Sequence, residues 1–153
     1  MGKMIVFAKI SAHHVEQIRN AVPNWEIIQA REREDWSEHI RDAEVWAGWN
    51  KEAGKQAIAQ GTALKWVHNW GAGVDYIPLR DLLQAGITLT NSSGVHAYPI
   101  SETVFAMMLS WTRGLYVHIR SQLNREWKLV GSSIGELHRK TIGVIGAGSI
   151  GME

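Results

Sequence analysis

Two glycine-rich stretches hold the residue types that could do chemistry. The first is Asn69-Trp70-Gly71-Ala72-Gly73-Val74-Asp75. Its small side chains would let an anion approach consecutive backbone N–H groups, as in an anion-binding nest. From spacing alone, plain turn glycines are favoured over a nest. The second is Gly146-Ala147-Gly148-Ser149-Ile150-Gly151, which follows the β-branched run Thr141-Ile142-Gly143-Val144-Ile145. Its Gly-x-Gly-x-x-Gly spacing is that of a dinucleotide-binding turn. The first glycine permits the tight turn, the second lets backbone approach a pyrophosphate, and the third lets the next helix pack on its strand. That helix is expected to begin near Ile150 and to offer amide N–H groups to phosphate.

The remaining reactive residue types are weaker candidates. His13 and His14 are adjacent, so they diverge on a helix and make a poor metal pair. His96 reads as structural in preference to acid–base, and Met107-Met108 as packing in preference to a ligand site. No metal site is expected. The 153 residues contain no cysteine, which excludes disulfides and thiolate metal sites. A net charge of +1 without a basic run gives no reason to expect nucleic acid or an anionic membrane as partner. No stretch reads as a membrane span or a signal peptide, and a cytoplasmic location is expected.

The elements that must position these stretches alternate. Strands are expected at residues 4–8, 25–28, 44–49, 64–68 and 87–90. Ser11 is expected to cap a helix with Val15 and Ile18 on its inner face, a helix is expected over 51–60, and Pro78 opens another to Gln84. The charged run at 31–35 reads as a solvated loop or helix edge. Alternation with short connections predicts α/β architecture, a flavodoxin-like doubly wound parallel sheet. Then comes one long helix over residues 100–123. Its segment 104–109 is apolar on every side, which predicts burial all round. Residues 124–139 read as a connecting arm, and 141–145 as a further strand.

Three segments together resemble the D-isomer-specific 2-hydroxyacid dehydrogenases, a family that includes glyoxylate/hydroxypyruvate reductases and phosphoglycerate dehydrogenases. Trp70-Gly71-Ala72-Gly73-Val74-Asp75 resembles the family's substrate loop. Asn91-Ser92-Ser93-Gly94-Val95-His96-Ala97-Tyr98-Pro99-Ile100-Ser101-Glu102 resembles its crossing into a long interdomain helix. Trp127, followed by residues 135–151, resembles its entry to the cofactor domain. The match runs over about residues 45–151.

The resemblance implies a substrate domain at 1–97, a dimerisation helix and arm at 98–140, and at 141–153 the first strand and turn of a Rossmann NAD(P)-binding domain. It implies that Ala72 and Gly73 hold a substrate carboxylate through backbone N–H groups, and that Trp49 and Asn50 line the other side of the pocket. Gly146, Gly148, Ser149, Ile150 and Gly151 would hold the cofactor pyrophosphate. Ala97 stands where the family often has threonine, so a cofactor contact through that hydroxyl is not carried over. The implied reaction is hydride transfer between NAD or NADP and a small 2-hydroxy or 2-keto acid. The arginine, carboxylate and histidine that perform it in the family have no match here, so the chain reads as an N-terminal fragment, inactive by itself and with no cofactor bound. A homodimer through helix 100–123 is expected, with Phe105, Met108 and Trp111 otherwise left open. The competing class is a non-catalytic flavodoxin-like binding or dimerisation module.

Overall fold

The computed structural model describes residues 1–128, 131 and 134–153. The chain divides into two compact units, Met1–Ser93 and Gly94–Glu153. In the first unit the strands are β1 (Gly2–Val6), β2 (Trp25–Gln29), β3 (Val45–Ala47), β4 (Trp66–Asn69) and β5 (Thr88–Asn91). All neighbours pair in parallel, in the order β2-β1-β3-β4-β5. This is the flavodoxin-like order, and it reverses direction between β1 and β3. Helices α1 (Ala12–Ala21), α2 (Arg33–Trp36), α3 (Lys51–Gln60) and α4 (Leu79–Gln84) fill the crossovers.

Register explains why these strands cohere. Ile28, Ile5, Trp46, Val67 and Leu89 are successive partners across all five strands. Side chains alternate along a strand, so this row shares one face. Ile5, Trp46 and Val67 are fully buried in it, with Ile28 and Leu89 packed against the same core. Val6 and Ala47, one position on, are also buried, so the central strands are covered on both faces. Burial of each large side chain is worth roughly 1.5–3 kcal/mol. Phe7 meets the edges of Trp36 and Trp46, with ring centroids 6.4 and 5.2 Å apart, and ties α2 to this core.

Local signals set the helix ends. Ser11 Oγ accepts from the His14 N–H at 3.3 Å and starts α1, whose Val15 is buried. The charged run at 31–35 begins α2: the Asp35 carboxylate accepts the N–H groups of Arg31 and Glu32 at 2.8 and 3.0 Å. Most strands shift by one or two residues from their expected bounds, which leaves their order unchanged.

The second unit departs further from expectation. The single helix expected over 100–123 is two helices, α5 (Ala97–Thr112) and α6 (Leu115–Leu123). Gly114 separates them with φ +64°, a left-handed conformation that ends a helix and suits glycine. Trp111 and Tyr116 stack across the break, with centroids 5.7 Å apart. Nor is segment 104–109 buried all round: Val104, Phe105, Met107 and Leu109 are exposed, and Ala97 is the buried residue of α5. Trp111 is exposed and Met108 half-buried. The strand expected at 141–145 does not form; those residues pair with no strand among the described residues. Among the described residues all strands lie within residues 2–91, in the first unit, so segment 141–145 has no strand to pair with in its own unit. A short helix, α7 (Ser149–Met152), follows the glycine turn. Part of the arm expected over 124–139 lies outside the described residues.

Candidate functional site

In a doubly wound sheet, ligands meet the carboxyl ends of the strands. Three of those ends, on β3, β4 and β5, present the candidate residues. Asn69 closes β4 and Asn91 closes β5, and they are register partners. Asn69 is buried at 2% exposure. Its Nδ2 donates to the carbonyls of Gly71 at 3.0 Å and Gly73 at 2.9 Å. Its Oδ1 accepts the Tyr76 hydroxyl at 2.6 Å. Asn91 Nδ2 donates to the carbonyl between them, that of Ala72, at 2.6 Å. Three successive carbonyls are thus turned toward two asparagines. In a trans peptide the N–H points opposite to the preceding carbonyl. The N–H of Ala72 therefore faces away from Asn69, and that of Gly73 away from Asn91. Among the described residues neither N–H has a backbone or side-chain acceptor.

Trp49 and Asn50 follow β3, the strand beside β4. Asn50 caps α3, its Oδ1 accepting the N–H groups of Glu52 and Ala53 at 3.0 Å each. Trp49 lies over Gly54 of α3, where a Cβ would overlap its ring, and its centroid is 6.0 Å from that of Trp46. Its Nε1 is buried with no hydrogen-bond partner among the described residues. Trp49 also lines a cavity of about 430 Å³ with Lys51, Lys55, Tyr76 and Asp81. Asn50, Ala72 and Gly73 do not line that cavity, although all four residues follow strand ends on one edge of the sheet.

A second feature of this edge was not singled out by sequence reasoning. Trp66 Nε1 donates to Thr90 Oγ1 at 2.8 Å, and the same hydroxyl lies 2.9 Å from His68 Nδ1. Ser92 Oγ lies 3.3 Å from His68 Nε2. These contacts tie β4 to β5 next to the loop. Trp70 stands edge-on to His68 at 5.9 Å and covers Gly48, whose φ of +94° turns the chain out of β3. The available signal was the period-2 row Trp66, His68, Trp70, which places all three on one face.

The glycine turn belongs to the second unit. Gly146 has φ +95°, and a Cβ at Gly151 would overlap the Gly146 carbonyl oxygen. The turn closes on itself so tightly that position 151 must be glycine. Gly148 is the N-cap of α7 and has open space around its Cα. These features fit the pyrophosphate part of a dinucleotide cradle. Residues for the ribose or adenine are not identified among those described. His96 is exposed and precedes α5 without a side-chain capping bond. Among the described residues no group of three His, Cys, Asp or Glu could hold a metal ion. No helix among them is long and apolar enough to cross a membrane.

Residues 4–148 match the family described as "D-isomer specific 2-hydroxyacid dehydrogenase, catalytic domain". The chain is 34% identical over 92 residues to a D-3-phosphoglycerate dehydrogenase of Bacillus subtilis, a stretch covering 60% of this chain and 18% of that protein. It is 28% identical over 135 residues to a glyoxylate reductase of Pyrococcus furiosus, covering 83% of this chain and 40% of that one. Among solved structures, a phosphoglycerate dehydrogenase from Lactobacillus plantarum aligns with TM-score 0.55 and 29% identity, over 88% of this chain and 43% of that one. A D-lactate dehydrogenase from Treponema pallidum aligns with TM-score 0.74 over 99% of this chain and 48% of that one; at 21% identity it speaks to the fold alone. The chain spans between 18% and 40% of the length of these two sequence relatives.

Proposed function

The chain belongs to the D-isomer-specific 2-hydroxyacid dehydrogenase family, and from that premise we propose that it forms the substrate-side part of an NAD(P)-dependent oxidoreductase acting on small 2-hydroxy or 2-keto acids. The observation that carries this reading is the loop after β4. Among the described residues the N–H groups of Ala72 and Gly73 have no acceptor, and the carbonyls that precede them are held by Asn69 and Asn91. Consecutive free N–H groups at the carboxyl end of a parallel sheet favour a carboxylate. They fix the acid end of the substrate and leave its 2-position to the reaction. Trp49 and Asn50, on the adjoining strand end, border the same substrate from β3.

Gly146, Gly148, Ser149, Ile150 and Gly151 would hold the cofactor pyrophosphate. When bound, the nicotinamide supplies or accepts the hydride. The acid–base histidine, its carboxylate and the substrate-polarising arginine of the family have no match among these 153 residues, so we read this chain alone as catalytically inactive. Helices α5 and α6 carry the surface for a homodimer.

Titration of the labelled chain with oxalate or glyoxylate, followed by amide chemical shifts, tests the substrate assignment. Residues 71–74 should shift first and saturably. Shifts confined to other amides would show that the carboxylate binds elsewhere and that Ala72 and Gly73 are merely turn residues.

A further inference from the structure

Asn69 is the buried polar group on which the β4 loop is built. Its terminal amide has two hydrogens and one oxygen, and all are engaged at 3.0, 2.9 and 2.6 Å. Both hydrogens go to carbonyls of one loop. The oxygen takes the hydroxyl of Tyr76, which lies just past the same loop. Rotating the amide by half a turn would set its oxygen against two carbonyl oxygens and its nitrogen against a hydroxyl. The Tyr76 hydrogen bond therefore selects the orientation that holds the carbonyls inward.

We infer that Asn69, locked by Tyr76, is a positioning residue of the Ala72–Gly73 carboxylate nest: it binds no substrate atom, and it sets the direction of the Ala72 amide, while Asn91 sets that of Gly73. This inference rests on the reading of those amides as a carboxylate site. The division of labour follows from geometry. Asn91 is exposed and holds one carbonyl, that of Ala72. Asn69 is buried and holds the two that flank it, so it fixes the peptide planes before and after. Among the described residues, loss of this buried donor leaves the Gly73 carbonyl without a partner and the Gly71 carbonyl with only the long Ser92 N–H contact at 3.4 Å, so both gain by turning toward water. Turning a carbonyl reverses the amide that follows it. The nest is then lost although no residue that touches the anion has changed. Tyr76 is largely exposed, so its hydroxyl can be removed without opening the core.

The test uses the 153-residue chain as it stands, with Asn69→Ala and Tyr76→Phe variants. Residual dipolar couplings of the 72, 73 and 74 amides report orientation without any ligand, and oxalate titration reports binding. Asn69→Ala should reorient the amides of Ala72 and Val74 and weaken oxalate about tenfold or more, the loss expected for about one well-made hydrogen bond to a charged group. Tyr76→Phe should leave amide shifts in β1 and β2 unchanged, broaden or move residues 71–74, and weaken oxalate by a smaller factor. Wild-type couplings and affinity in both variants would overturn the assignment. Should Asn69→Ala fail to fold, Tyr76→Phe decides alone: unchanged oxalate affinity and unchanged loop couplings refute the lock. If the wild type shows no oxalate binding while the couplings respond to Asn69→Ala, Asn69 orders the loop and it is the carboxylate reading that falls.

Discussion

Asn69 and Asn91 stand side by side at the ends of β4 and β5 and between them hold the carbonyls of Gly71, Ala72 and Gly73. A parallel pairing therefore does more than join two strands. It brings two side-chain amides to one loop, 22 residues apart in sequence, and gives a glycine-rich segment a defined backbone. Glycines alone would leave that segment a choice of turns. The asparagines remove the choice.

Gly54 should tolerate no side chain, although it sits inside α3. Glycine in a helix interior ordinarily costs about 1 kcal/mol against alanine, so Gly54→Ala would be stabilising on propensity alone. Here the added Cβ would overlap the Trp49 ring, a rigid group already packed on the core. Overpacking of this kind costs roughly 1–3 kcal/mol. The expected outcome is a net loss in urea denaturation together with a shifted tryptophan emission. A gain near 1 kcal/mol would mean that Trp49 moves aside freely.

Much of this was legible in the sequence, and the exceptions have physical causes. Parallel pairing is legible in the alternation, because parallel strands need a crossover each and the pattern supplies one. Residues 141–145 were misread as a strand because β-branched composition reports a preference, while pairing needs a neighbour that this unit lacks. Gly114 was passed over inside an apolar pattern, though glycine is the residue that permits the φ of +64° found there. Ala72 and Gly73 stand out through the family resemblance, whereas spacing alone favours plain turn glycines. Asn69 does not stand out, because its role depends on its 2% exposure and on Tyr76, and neither shows in a linear pattern.

Stability should fall on both sides of neutrality, through two clusters. The Asp42 carboxyl lies below its ordinary value because the Lys3 ammonium hydrogen-bonds it at 2.7 Å. Asp35 lies below its own because it accepts the backbone N–H groups of Arg31 and Glu32. A depressed carboxylate contributes stability that is present above its unfolded value of about 3.9 and is lost as pH falls through the folded value. Lys3 is raised by Asp42 first and by Glu26, against the opposing effect of burial. Its contribution is complete below about 10.4 and is lost as pH rises through the folded value. His39 Nδ1, 3.2 Å from the same ammonium, also faces this group. Denaturant midpoints between pH 2 and 6 should show a shallower acid limb in Asp42→Asn than in the wild type. Parallel acid limbs would remove Asp42 from the account.

Reduced cofactor should not bind this chain with useful affinity. The glycine turn supplies the close backbone approach, with Gly151 packed against Gly146. Pyrophosphate contacts alone are a small part of a dinucleotide's surface, and the acidic residue that would read the ribose, roughly 20 positions past the glycines, has no counterpart within these 153 residues. Calorimetry with NADH and with NADPH should give no saturable heat at tens of micromolar. A low-micromolar dissociation constant for either would show that the turn binds a dinucleotide without those groups.

Association should follow from α5 and α6. Ile100, Val104, Met107 and Trp111 recur at spacings of four, three and four on one face of α5, and Leu115, Ile119 and Leu123 at spacings of four on α6; all are between 38% and 79% exposed. Monomers seldom carry a contiguous apolar patch beyond a few hundred Å². Removing such side chains from water is worth roughly 1.5–3 kcal/mol each, set against an association cost of about 4–15 kcal/mol. A two-fold pair buries these side chains from both copies, and even with allowance for the part already covered their sum reaches about the upper end of that cost, so burial on this face favours a pair. The expected arrangement is a two-fold one, because a self-complementary patch closes with two copies and leaves nothing to propagate. Met107→Asp with Trp111→Asp places charge one turn apart on that face and should yield monomer without unfolding the sheet, since neither residue belongs to the core of the first unit. Light scattering coupled to size exclusion decides it: a wild-type dimer and a variant monomer are expected. A monodisperse wild-type monomer at tens of micromolar would show that the apolar face of these helices is covered within one chain.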